Sequence, residues 1–137
     1  MRSHAVAAQS DALAVLRAEH SKVEARMQLE SARLVALAVR ANWPKATGIT
    51  LAQEWDDDGD PRVSPGRVLN VEGEVLYDHE DDWESSPTVW EDIENGIGWM
   101  TFLYGSHLWQ EHAPIVPTEK RGEEVRLLDI GSTIGAN

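Results

Sequence analysis

The chain has 137 residues, 42% of them hydrophobic, and 24 Asp and Glu against 12 Lys and Arg give a net charge of −12. That is the size of one domain with apolar content enough for a core, which excludes a wholly disordered acidic chain. The absence of cysteine removes disulfides, thiolate metal sites and thiol nucleophiles together.

Residues 5–41 read as helix. No Gly or Pro interrupts them, and Ala, Leu, Arg, Glu and Met dominate. Leu13, Leu16, Val23, Met27, Leu34, Leu37 and Ala41 fall three and four apart, with His20 and Glu30 in the same stripe, a heptad-like seam. One continuous helix is the expectation. Ser21 with Glu24 fits a capping box, so a break near His20 is the alternative. The seam is either intramolecular core or a self-association surface. A single helix would overhang a small domain, so Leu13, Leu16, Val23 and Met27 are expected to self-associate, most simply as a two-fold homodimer. Leu34 and Leu37 are then left to pack against the body.

Trp43-Pro44 ends the helix, because proline disfavours helical geometry in the residue before it. Ile49–Trp55 alternates as a strand, and Asp56–Pro61 is rich in turn formers. Val63 and Arg67–Val71 make a second strand interrupted at Ser64-Pro65-Gly66. Glu72-Gly73 is a tight hairpin turn into a third strand, Glu74–Tyr77. Asp78–Ser85 reads as an acidic loop. Ser86 then caps a helix with Pro87 at its first position, carrying Val89, Trp90, Ile93, Ile97, Met100 and Tyr104 at helical spacing. Gly96 and Gly98 weaken that helix. Gly105–Lys120 reads as loop, Glu124–Ile130 as a last strand, and 131–137 as a tail. The expected architecture is a single α+β domain. A helical arm (1–43) leads into an acidic body (46–130), with a mostly antiparallel sheet of three to four strands and a second helix packed on it.

Charge is uneven along this order. Residues 1–45 carry seven basic and four acidic groups, net +3, whereas residues 46–118 carry two basic and sixteen acidic, net −14. Such a surface is repelled by phosphates, which argues against direct DNA or RNA binding and favours a basic protein as partner. The acidic face is drawn from Asp56, Asp57, Asp58 and Asp60, from Asp78, Glu80, Asp81, Asp82 and Glu84 around Trp83, and from Glu91 and Asp92. Trp83, amid carboxylates, is the best candidate for an exposed aromatic anchor, with Trp109 the runner-up. Trp55 and Trp90 occupy apolar positions and are expected in the core, and Trp43 is placed to cover the sheet.

No motif carries catalysis. Asp56-Asp57-Asp58-Gly59-Asp60 has the look of a calcium loop, but setting Gly59 at the sixth position puts Pro65 where the bidentate Glu is required. Of His79, His107 and His112 with Glu111, His107 and Glu111 are four apart and could share a helix face, but the region reads as loop and His112 is five from His107, so surface histidines are the reading and no metal is expected. Gly96-Ile97-Gly98 follows a helix start rather than a strand, and Gly105-Ser106-His107 lacks the frame of a nucleophile elbow. No catalytic residue and no cofactor is expected. The longest apolar run, Leu34–Val39, is too short to cross a membrane, and Gln9, Ser10 and Asp11 interrupt any signal core, so a soluble cytoplasmic protein is expected.

The apolar helix end from Leu34, Ile49–Trp55, Asp57-Asp58-Gly59-Asp60 and Gly73-Glu74-Val75-Leu76-Tyr77-Asp78 together resemble small acidic accessory proteins of actinobacterial phages and plasmids. The resemblance implies an accessory or host-takeover role and carries over no catalytic residue. Two functional expectations follow. One is a non-enzymatic acidic protein that binds a basic protein surface, for example a nucleic-acid mimic that inhibits a host defence or DNA-processing enzyme. The alternative is a structural or assembly component that oligomerises through the N-terminal helix.

Overall fold

A computed structural model describes residues 3–55, 57–59, 61–102, 108–118 and 122–135. The architecture is α+β: a long helix α1 (His4–Asn42), strands β1 (Ala46–Trp55), β2 (Pro61–Asn70) and β3 (Val75–Asp78), a short helix α2 (His79–Asp82), α3 (Val89–Phe102), β4 (Ile115–Val116), β5 (Glu124–Asp129) and α4 (Ile130–Ile134). Short 3-10 turns occupy Trp83–Ser85 and Leu108–His112. The five strands lie in the order β3-β2-β1-β5-β4, and every pair is antiparallel.

Helix α1 is unbroken over 39 residues, about 60 Å at 1.5 Å per residue. The Ser3 side chain accepts from the Val6 amide at its start, and the Trp43 amide donates to the Val39 carbonyl at its end. Ser21 and Glu24 do not open a second helix. In the strands, Ile49, Val68 and Leu128 stand in register across three neighbours and are fully buried. The C-terminal half of α1, with α3 and α4, packs on that face. Side chains alternate across a strand, so Thr50, Ala52, Val125 and Val116 point to the opposite face. There they line a shallow trough of about 750 Å³.

Several local devices explain the strand ends and turns. The Ser64-Pro65-Gly66 stretch does not interrupt β2. It forms a bulge in one strand, since Ile49 pairs with Val68 but Leu51 pairs with Pro65, leaving an extra residue on β2. The amide of Arg67 at the bulge donates to Thr50 Oγ1 at 2.8 Å. At the β2–β3 hairpin, Gly73 takes a φ of +80°, open to glycine at no steric cost. Asn70 Oδ1 accepts from the amides of Glu72 and Glu74 there.

Four expectations about elements are corrected. Among the described residues the sheet has five strands, because Ile115–Val116 adds a strand beside β5 within a stretch read as loop. The stretch Asp78–Ser85 is not a loop: Asp78 ends β3 and caps α2 by accepting from the Glu80 amide, and a 3-10 turn follows at Trp83–Ser85. α3 begins at Val89, after Pro87 and Thr88 rather than on Pro87, and runs through Gly96 and Gly98 without a break. Residues 131–134 are not a tail: Asp129 caps α4 by accepting from the Ser132 amide at 2.8 Å, and Ile130 and Thr133 are buried. Among the described residues, no helix is long and apolar enough to cross a membrane.

Candidate interaction surfaces

The strongest apolar pattern in the sequence does not face the core. Helix α1 buries Gln28, Ala32, Val35, Ala36, Ala38 and Val39. The heptad stripe runs along the other side: Leu16 is 59% exposed, Val23 62%, Leu34 43% and Leu37 52%, with Leu13 and Met27 also exposed. At 100° per residue the two faces lie about 130° apart around the helix. The expectation that Leu34 and Leu37 pack against the body is therefore overturned. The reason is steric. Gly96 brings α3 so close that a Cβ there would lie 2.7 Å from Val35 Cγ2 and 3.1 Å from the Ser31 carbonyl. Only small side chains fit at such a crossing, so Ala32 and Ala36 serve as core while the leucines turn outward.

Upstream of this crossing the helix touches little. Residues 3–23 are exposed apart from a half-buried Ala7. The stripe thus continues without cover from Leu13 to Leu37, interrupted by His20 and Glu30. Each polar member has a partner on its own helix: His20 Nε2 lies 2.7 Å from Glu24, and Glu30 pairs with Arg33. The i,i+4 and i,i+3 polar pairs support the helix by only about 0.2–0.5 kcal/mol each.

The acidic residues divide into two groups. Asp57 and Asp58 sit at the exposed tip of the β1–β2 hairpin, while Asp56 and Asp60 lie outside the described residues. Along the β3 edge, Glu80, Asp81, Asp82 and Glu84 are exposed on α2 and the following turn, and Glu91 and Asp92 are exposed in the first turn of α3. Asp78, expected on the acidic face, is instead half-buried and paired with Arg67 Nε at 2.9 Å, and Arg67 stands six residues, about 20 Å, along β2 from Pro61, so the two groups are separate. Trp83 is 61% exposed among Asp81, Asp82 and Glu84. The Glu74 carboxyl is held below the usual carboxylate range, first by its hydrogen bond with Glu72 and then by that with Asn70.

The other tryptophans depart from expectation in both directions. Trp55 is 52% exposed, because it is the last residue of β1, paired with Pro61 across the hairpin mouth where helix cover has ended. Trp109 is buried rather than exposed, its backbone amide donating to Gln28 Oε1 at 3.2 Å. No local pattern in the sequence links Gln28 to Trp109, which lies 81 residues further along the chain. Trp90 is buried as expected, and with Trp43 and Tyr77 it forms an aromatic cluster at the end of α1.

His79 belongs to that cluster and is not a plain surface residue. Its ring stacks on Trp90 at 4.6 Å, and its Nδ1 is hydrogen bonded to the Tyr77 hydroxyl at 2.9 Å. His112 bonds Ser132 through Nδ1, and His107 lies outside the described residues. Among the described residues, no group of three or more His, Asp or Glu is placed to hold a metal ion. Comparisons with models of protein families, with curated proteins and with solved structures find no match.

Proposed function

We propose that this protein is a non-enzymatic assembly component that works through the outward stripe of its N-terminal helix. One observation carries the reading. Leu13, Leu16, Val23, Met27, Leu34 and Leu37 form an exposed line on a face that the domain leaves uncovered. Soluble monomers rarely expose contiguous apolar surface of this extent, and isolated helical segments are marginal in water. Association covers the stripe and stabilises the arm at once. Static light scattering tests the reading. Wild type at micromolar concentration should exceed the 15.2 kDa of one chain, and Leu16→Glu with Val23→Glu should return it to that mass. A wild-type monomer would sink it.

A second reading is supported by Trp83, which stands exposed among Asp81, Asp82 and Glu84. There the protein captures a basic protein surface, acting as a nucleic-acid mimic toward a host defence or DNA-processing enzyme. Capture of that kind is steered electrostatically and fades with salt. Mass spectrometry of proteins retained by the immobilised chain, with and without added salt, separates the two readings. The second requires a basic partner released by salt.

A further inference from the structure

We propose that two copies of this chain pair antiparallel through the α1 stripe, with His20 of each copy set against Glu30 of the other. The proposal rests on the stripe being an assembly surface and adds what occupies it and in which direction. In heptad terms Leu13, His20, Met27 and Leu34 are first (a) positions, and Leu16, Val23, Glu30 and Leu37 are fourth (d) positions. In an antiparallel pair, first positions of one helix oppose fourth positions of the other.

One register satisfies every layer. Leu13 opposes Leu37, Leu16 opposes Leu34, and Val23 opposes Met27. The two polar interruptions then meet each other, so an imidazole N–H can donate to a carboxylate twice, once on each side of the two-fold axis. On one flank Glu19 falls beside Arg33 of the second copy. The same register sets Glu24 beside Glu24 and Arg26 beside Arg26 at the axis, on the solvent rim where screening makes such contacts weak. A parallel pair fares worse in the seam itself. It stacks His20 on His20 and Glu30 on Glu30 within the apolar line, and brings Glu19 against Glu24. The buried face of α1 points about 130° away from the stripe, so the body packs mainly on the other side of the helix.

The absence of cysteine makes the test clean. Antiparallel pairing separates the two Leu16 positions by eighteen residues, about 27 Å along the axis, and sets Leu16 against Leu34. Leu16→Cys and Leu34→Cys proteins are prepared separately, then oxidised alone and as an equimolar mixture, with light scattering on the reduced samples. The expected result is a mass of twice 15.2 kDa and a disulfide-linked dimer in the mixture only. Cross-linking of Leu16→Cys alone would overturn the antiparallel pair while leaving the assembly reading intact. A dimer with no cross-link in any sample would overturn the register. A monomeric mass would overturn both.

A charge exchange gives an independent readout. His20→Glu should weaken the dimer by about tenfold, and adding Glu30→Lys to the same chain should restore it. In a parallel pair the double variant would set Glu on Glu and Lys on Lys, two like-charge layers as before, and would not restore it. All these positions lie outside the buried core, and circular dichroism should report the same fold throughout.

Discussion

Two glycines in α3 look alike in the sequence and differ in what surrounds them. A Cβ on Gly96 would press on Val35 and on the Ser31 carbonyl, whereas one on Gly98 would meet nothing within 4 Å. Alanine is the better helix former by about 1 kcal/mol. Gly98→Ala should therefore stabilise the protein by up to that amount. Gly96→Ala should destabilise it by about 1–3 kcal/mol, because the crossing with α1 must open. Urea denaturation of the two variants reads both signs. Gln28 supplies a third test. Gln28→Leu removes the acceptor for the buried Trp109 amide and should cost about 1–3 kcal/mol, with a red shift of tryptophan emission if the Leu108–His112 turn lifts from α1. Such contacts are invisible in sequence, because Gln28 and Trp109 are distant along the chain and no local pattern links them.

At the scale of the element, α1 carries two faces with separate tasks. Ala36 is fully buried against the body, while the neighbouring Leu37 is half exposed. Ala36→Leu should overpack the crossing and cost about 1–3 kcal/mol without altering association. Leu37→Glu should leave the unfolding free energy of the monomer nearly unchanged and weaken association. Urea denaturation with light scattering on the same samples separates the effects, and a loss of both properties in either variant would mean that the faces are not independent. The heptad stripe was legible in the sequence, as was the continuity of the helix. The role of the stripe was not, since periodicity identifies a face without saying what covers it. α4 shows the converse limit. Asp129 as a cap, with Ile130 and Ile134 four apart, was a readable signal in a segment whose Gly, Ser and Thr suggested a tail.

For the molecule as a whole, the arm and the body divide the charge. Residues 1–45 are net positive and residues 46–118 strongly negative. Reversing Asp81, Asp82 and Glu84 to Lys should leave self-association through α1 unchanged, since these residues lie on the body at the β3 edge. It should slow capture of a basic test protein more than it speeds release. Stopped-flow association at two salt concentrations checks this, and rates indifferent to both salt and reversal would count against an electrostatic role for the acidic face.

Local rules within the sequence were enough for the class of fold, the unbroken helix and the hairpin at Gly73. They depend on propensity, alternation and a φ that glycine adopts freely, and each acts over a few residues. Only the tertiary structure decided that alanines and valines rather than the stripe leucines of α1 form the core, that Trp109 is buried and Trp55 exposed, and that Ile115–Val116 joins the sheet. Those outcomes depend on how near two elements approach. The missing side chain of Gly96 sets that distance for α1 and α3, and with it which face of the helix is left for a partner.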